Sequence, residues 1–278
     1  MDGGIFMIEL PEARCLATQL SSSLTGKRIV KATAFEKPHK FGWSNVEPSA
    51  FSALAEGKQI RGATASAHVV RLLLDDNLEI ACSEDFEIRV HEVANREPAH
   101  LRLDFDDQTA LTVRIKMYGY ILIGTTPALS EWTPYYRMAV DSISPLDDGF
   151  TYDRFLDQTK LMAGKGSVKQ ALATEQKIPG LGNGVLQDIL FDAGLSPKRK
   201  CATLSESDRR KLYASVRSTL ATMHAQGGRD TTVNLIGKPG GYPVKMASNR
   251  DSCPVCNTNL SKEAYLGGKV IYCPQCQI

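Results

Sequence analysis

No run of 18 apolar residues occurs in this 278-residue chain, so a membrane-spanning helix is not expected. The opening, MDGGIFMIELPEAR, lacks the basic-then-apolar layout of a secretory signal, which makes the cytoplasm the expected compartment. Strong charge of either sign is missing too. Lys and Arg number 33 against 31 Asp and Glu, a formal net charge of +2, so a nucleic-acid partner would need its cations clustered. There is no internal repeat and no low-complexity tract. Cysteine is sparse until the C-terminus: Cys15, Cys82 and Cys201 are scattered and read as reduced packing residues.

What is present divides near residue 141, and the length allows two cores. Before that point the texture is mostly strand. HVVRLLL and LEIACSEDFEIRV flank the turn signal Asp75-Asp76-Asn77. Leu101, Leu103 and Phe105 alternate, Asp106-Asp107-Gln108 turns, and Leu111, Val113, Ile115 and Met117 alternate again. Such patterns predict antiparallel strands. One helix is predicted ahead of them, from Pro11 to about Gly26, with Cys15, Leu16 and Leu20 on one face. After the polar linker DSISPLDDGF the pattern turns helical. Helices are predicted over 167–176 from a Ser167 cap, over 183–194, and from Ser205, where Ser205 and Asp208 form a capping box, to Gly227-Gly228. The stretch RDTTVNLIGKPGGYPVKMASNRDS is too rich in Gly, Pro and polar residues for a regular element, and such long irregular segments are often functional.

Two segments carry chemistry. Cys253, Cys256, Cys273 and Cys276 form two C-x-x-C pairs 16 residues apart, the spacing of a four-thiolate zinc site built on a hairpin. A closed tetrahedral site leaves no position for substrate, so one structural Zn2+ is expected, holding a hairpin that presents Lys269. In IPGLGNGVLQDILFDAG, Gly180, Gly182 and Gly184 surround Asn183 at a helix start, where glycines let an anion approach backbone amides; Lys169 lies upstream. A dinucleotide fingerprint is rejected because the segment before the glycines reads as helix, not strand.

ELPEA, PGLGNGVLQDILFDAGLSPKR, GGRDTTVNLIGKPGGY and YCPQCQ, in this order, resemble the formamidopyrimidine-DNA glycosylase and endonuclease VIII family over nearly the whole chain. The resemblance implies a multidomain α+β fold. An N-terminal β-sandwich with flanking helices (1–140) and a linker (141–151) precede a helix–two-turns–helix domain (152–248) and a C-terminal zinc ribbon (249–278), with DNA in the cleft between. It implies a monomer acting on damaged double-stranded DNA, with no membrane partner, in a bacterial-type cytoplasm and associated with the nucleoid. The lesion base would be flipped out. An N-terminal proline would attack C1′ as a secondary amine, a glutamate would handle protons, and elimination would cut the strand.

By the same resemblance Glu9 and Glu12 hold the motif glutamates, and Lys169 and Asn183 match the phosphate contacts. The proline position is Ile8, preceded by Met7 and six further residues. A chain starting at Met7 would carry its amine one residue early; a chain retaining residues 1–6 would carry none there. The family's catalytic lysine falls near His68, its groove-filling pair at Met117 and Tyr118, and its finger arginine at Gly268, beside Lys269. Three readings follow: a base-excision enzyme without the strand-cutting step, with Glu9 activating water; a catalytically inactive DNA-binding protein of the same fold; and a zinc-ribbon interaction module that has left nucleic acid behind.

Overall fold

The computed structural model describes residues 7–95 and 97–278, so whether residues 1–6 belong to the natural protein lies outside the described residues. The chain forms two compact units: residues up to Asp141 with Thr231–Gly240, and Ser142–Asp230 with Gly241–Ile278.

In the first unit, helix α1 (Leu10–Leu24) starts as its sequence dictates. Pro11 sits in the first turn, and Glu9 and Glu12 form a reciprocal capping box, each carboxylate accepting the other's backbone N–H. Its apolar face, including Leu16, Leu20 and Leu24, packs on the sheet. The strands are β1 (Ile29–Ala34), β2 (Gly42–Trp43), β3 (Ile60–Ser66), β4 (Val69–Leu74), β5 (Leu78–Glu92), β6 (Leu101–Phe105) and β7 (Thr109–Thr125), with α2 (Pro48–Ala55) between β2 and β3. Their order is β1-β6-β7-β5-β4-β3, all antiparallel, with β2 alone running parallel to β7. Side chains from both ends of this order, Ala32 and Leu103 together with Ile60 and Leu72, share one core with Ile80 and Val113. The sheet therefore folds over its own apolar face as a β-sandwich. The opposite face of β4, β5 and β7 is buried as well, by α3 (Thr126–Trp132) and α4 (Pro134–Asp141), through Val69, Ala81, Leu122, Leu129 and Tyr136. Burial on both faces explains why these strands read as apolar runs. Residues 126–141 correct the strand-rich expectation: Thr125 caps α3, and Pro127 and Pro134 occupy early helical positions.

In the second unit, α5 (Tyr152–Thr159), α6 (Asn183–Ala193) and α7 (Glu206–Ala225) surround a core of Phe150, Phe155, Leu186, Ile189, Leu212, Val216 and Leu220. The Ser205–Asp208 capping box is present. The helix expected over 167–176 is present as a short segment, α-helical at 168–169 and continuing as a π turn, Gln170–Thr174. Ser167 still accepts from the Gln170 N–H at 3.3 Å. The Ala171 N–H donates to Ser167 O at 3.0 Å, an ordinary helical bond, and the first amides find partners across the chain, Val168 N–H to Arg199 O and Lys169 N–H to Pro197 O. Two short strands, β8 (Ser261–Tyr265) and β9 (Gly268–Tyr272), form the C-terminal hairpin. Its turn has Leu266 at φ 48 and Gly267 at φ 74, the signature of a two-residue type I′ connection. The hairpin is docked on the helices: the Ile271 N–H donates to Gln187 Oε1 at 2.5 Å, and Gln277 Nε2 to the Leu195 carbonyl at 3.0 Å.

Residues 231–240 belong with the first unit, although the sequence reading carried the helical region through them. Leu235 enters the larger core, its N–H donates to Gln19 Oε1, and Arg89 donates to the Asn234 carbonyl.

Candidate functional site

The four C-terminal cysteines converge. Their ligand atoms all lie within 4.8 Å of one another. Sγ–Sγ separations are 3.8 Å for Cys253–Cys276, 3.5 Å for Cys256–Cys273 and 3.4 Å for Cys256–Cys276. A tetrahedron with Zn–S bonds of ~2.3 Å has edges of roughly 3.8 Å, so the thiols already stand near the corners such an ion requires. Backbone amides support them: Val255 N–H points to Cys253 Sγ at 3.4 Å and Cys276 N–H to Cys273 Sγ at 3.3 Å. The donor set can hold a metal, and with four thiolates it has no position left for catalysis.

Lys169 and Asn183 meet beside this finger. The Lys169 side chain is almost fully buried, at 1% exposure. Its ammonium donates to the Tyr265 carbonyl at 2.5 Å and has no carboxylate partner among the described residues. Burial holds its pKa below the ordinary lysine value. Asn183 is the first residue of α6, after Gly182. A Cβ on Gly268 would stand 2.2 Å from Asn183 Nδ2 and 3.4 Å from Lys169 Nζ. Two N–H donors thus converge on the finger turn, and a side chain at position 268 would have to displace the Asn183 amide. Lys269 is exposed on β9.

In the first unit Ile8, His68 and Tyr118 gather around Glu84. The Ile8 backbone N–H donates to the Glu84 carbonyl at 3.2 Å, and the Ile8 side chain, 6% exposed, enters the core. His68 Nε2 lies 3.1 Å from a Glu84 carboxylate oxygen, which assigns the proton to Nε2. His68 Nδ1 is buried without a hydrogen-bond partner among the described residues. Tyr118 turns its hydroxyl onto Met7 Sδ at 2.7 Å; burial, then Glu84 and Asp85, push its pKa up. Met117, expected in the alternating buried row, is 48% exposed. The cause is a register shift: Glu84 pairs with Gly119 and Phe86 with Ile115, so Asp85 alone opposes Lys116, Met117 and Tyr118. Glu9 and Glu12 each accept the other's backbone N–H in their capping box.

The sequence reading missed two partners, Glu84 and Tyr265. Glu84 had a signal. A hairpin centred on Asp76 pairs Leu72 with Ile80 and Val70 with Cys82, and that register continued puts His68 opposite Glu84. The Tyr265 carbonyl, a backbone acceptor 96 residues from Lys169, had none.

A sandwich unit with a capped N-terminal helix, joined to helices that carry a four-thiolate finger, is the frame of one class of DNA-repair protein. The family model described as "Formamidopyrimidine-DNA glycosylase N-terminal domain" matches residues 7–160, more than half of the chain. The formamidopyrimidine-DNA glycosylase of Carboxydothermus hydrogenoformans is 35% identical over 281 residues, covering 98% of this chain and all of that one. The chain therefore belongs to the formamidopyrimidine-DNA glycosylase and endonuclease VIII family. Its backbone is similar to that of Lactococcus lactis Fpg (MutM) in complex with a FAPY-dG-containing DNA, with TM-score 0.82, 21% identity, and 97% and 99% of the two chains covered. The MutM (Fpg) protein of Thermus thermophilus gives TM-score 0.81 at 21% identity, with 97% and 98% covered. At that identity these structures speak to the fold.

Proposed function

We propose that the protein binds damaged duplex DNA and hydrolyses the N-glycosidic bond of a flipped-out base without cutting the strand. Base release by the family is the background. The observation that carries the departure from it is Ile8. Its nitrogen is an amide whose N–H is bound to the Glu84 carbonyl, and an amide has no lone pair to form a Schiff base. Water must then attack C1′, and Glu9 is the carboxylate for it. The N–H of Glu12 fixes the Glu9 carboxylate in one orientation, which positions it to take a proton from water. The first-turn amides favour negative charge at that point. Lys169 and Asn183 hold the sugar-phosphate backbone, Lys269 adds a cation, and His68, Met117 and Tyr118 lie on the side facing the lesion. The cysteines hold one Zn2+, whose contribution is rigidity of the finger. The working division is the sandwich to residue 140, joined by 231–240, a linker to 151, the helical domain over the rest of 152–248, and the finger beyond. The reading describes a monomer of the bacterial cytoplasm, at work on the nucleoid.

A second reading, a non-catalytic DNA-binding protein of the same fold, is favoured by one observation. Both motif glutamates are engaged in capping α1, so both would be retained for folding alone.

A panel of lesion-bearing oligonucleotides with two readouts separates the two. Alkali-dependent cleavage reports base loss, and borohydride trapping reports a Schiff base. Base loss without trapping, abolished in Glu9→Gln, is the expected result. Trapped enzyme, or full activity of Glu9→Gln, refutes the hydrolytic mechanism; tight binding with no product on any lesion establishes the second reading.

A further inference from the structure

Glu84 ties together two positions that the resemblance singles out. Its carbonyl accepts the Ile8 N–H at 3.2 Å, where the reactive amine is expected. Its Oε1 accepts from His68 Nε2 at 3.1 Å, where the catalytic lysine is expected. The backbone of Glu84 is left-handed, with φ 76. Glycine adopts that conformation freely, whereas a side chain there is strained. β7 closes tightly on this point of β5: a Cβ on Gly119, the residue paired with Glu84, would lie 2.6 Å from the Ser83 carbonyl. Strain of this kind collects at functional sites.

The side chain is suited to a task. It is 22% exposed, largely enclosed yet reachable. His68 fixes Oε1, while Oε2 has no hydrogen bond or ion pair among the described residues and is open to solvent. Glu9 and Glu12, by contrast, are 5% and 4% exposed and serve the capping box. No lysine or arginine pairs with Glu84 among the described residues. A carboxylate held in place, with one oxygen unengaged and no fixed cation beside it, fits a ligand group that carries positive charge and repels phosphate.

Such a charge develops in the reaction. Breaking the N-glycosidic bond places positive charge on C1′ and the ring oxygen, as in glycoside hydrolysis, where two carboxylates divide the work. We infer that Glu84 is a further catalytic carboxylate, oriented by His68, whose free oxygen contacts the sugar and stabilises the cation at C1′ as the base departs. The inference rests on the hydrolytic reading above and adds to it a group which that reading lacks. The C1′–N bond breaks with its electron pair passing to the base nitrogen, and the water oxygen bonds to C1′. The proton released by water passes through Glu9 to the departed base. Glu84 forms no bond and takes no proton; it acts by charge.

The probes are two duplexes carrying analogues of an abasic sugar. In one, a pyrrolidine places a protonated nitrogen at the C1′ position; in the other, a neutral tetrahydrofuran takes its place. Full-length, zinc-loaded protein should prefer the cationic duplex about 10- to 150-fold, the range of one hydrogen bond to a charged group. Glu84→Gln keeps the length and the acceptor for His68 but not the charge. It should lose most of that preference, hold the tetrahydrofuran duplex as tightly as wild type, and release a lesion base about 10²- to 10³-fold more slowly. Glu84→Gly takes φ 76 without strain and should lose the preference while keeping a Tm close to wild type. Equal preference in wild type and Glu84→Gln overturns the assignment, as does a wild type that binds both duplexes alike. So does a lower Tm in both variants with the preference intact, the signature of a purely structural role. A Glu84-dependent preference in a protein whose Glu9→Gln variant keeps full activity supports Glu84 and overturns Glu9 alone. Binding of neither duplex at low salt overturns the DNA reading and this assignment together.

Discussion

Replacing Lys169 with methionine tests the central feature of the second unit, a buried cation with no counter-charge among the described residues. Methionine keeps most of the stem and removes the ammonium. Two effects on stability oppose each other. The desolvation penalty of a buried ion, several kcal/mol before compensation, is relieved. The Tyr265 carbonyl, which accepts at 2.5 Å, loses its donor, at ~1–3 kcal/mol. Lys169→Met is therefore expected to lie between neutral and ~2 kcal/mol more stable than wild type, by urea denaturation of the free protein. DNA binding moves the other way. A hydrogen bond to a charged group is worth ~1.5–3 kcal/mol, so affinity should fall about 10- to 150-fold, and the slope of log K against log salt should become shallower by about 0.9. The pH dependence follows from the direction of the shift. Burial holds Lys169 below its ordinary 10.5, so the native state binds fewer protons than the unfolded chain in that window. Wild-type stability from this group rises toward pH 10.5 and is lost as pH falls through the folded value. The advantage of the methionine variant should narrow accordingly as pH rises toward 10.5. A variant that is destabilised by more than ~1 kcal/mol yet binds DNA with unchanged affinity and salt slope would refute the reasoning, and Lys169 would then serve only to pin the finger.

The finger makes two further predictions. Leu266 sits at φ 48 in a turn that favours asparagine, and left-handed backbone costs ordinary L-residues ~1–2 kcal/mol, so Leu266→Asn should raise the Tm of the zinc-loaded protein; a lower Tm contradicts the turn assignment. Elemental analysis should find one zinc per chain. Chelation should melt β8 and β9 and abolish DNA binding, which added zinc restores; a chelated protein that still binds DNA argues against the finger's role. In the first unit, Lys27 and then Thr109 hold the Asp107 pKa at about 2, from an ordinary 3.8. The pair then stabilises the fold above pH 3.8, and its contribution is lost as pH falls toward 2. Asp107→Asn should be less stable than wild type at about pH 6, by under ~1 kcal/mol because the pair is half exposed, and the difference should vanish near pH 2.

Local signals were legible where local physics decides. Asp75–Asn77 and Asp106–Gln108 turn the chain where the sequence says, and they set registers that hold through β4–β5 and β6–β7. Pro11 and the Ser205–Asp208 box start their helices, and the cysteine spacing produced the thiol cluster. What failed depends on distant partners. Met117 obeys the alternation of Leu111, Val113 and Ile115 in sequence, yet Asp85 on another strand opposes three residues there and turns Met117 outward. Leu235 looks like a loop residue because the core that buries it is more than 100 residues away in the chain.

Ile8 and Gly268, two positions at which the sequence resemblance expects other residues, share a physical character. Ile8 stands where the resemblance puts a reactive proline, and it contributes an amide donor to Glu84 and a side chain to the core. Gly268 stands where it puts a cationic side chain, and its lack of a Cβ admits Asn183 and Lys169. Neither position is a simple loss. A proline at residue 8 would remove the N–H that Glu84 accepts, and any side chain at residue 268 would drive the Asn183 amide from its seat. On the proposed reading, chemistry at the sugar falls to the motif carboxylates of Glu9 and Glu12, held at the start of α1, and retained base release by Glu9→Gln protein would refute it.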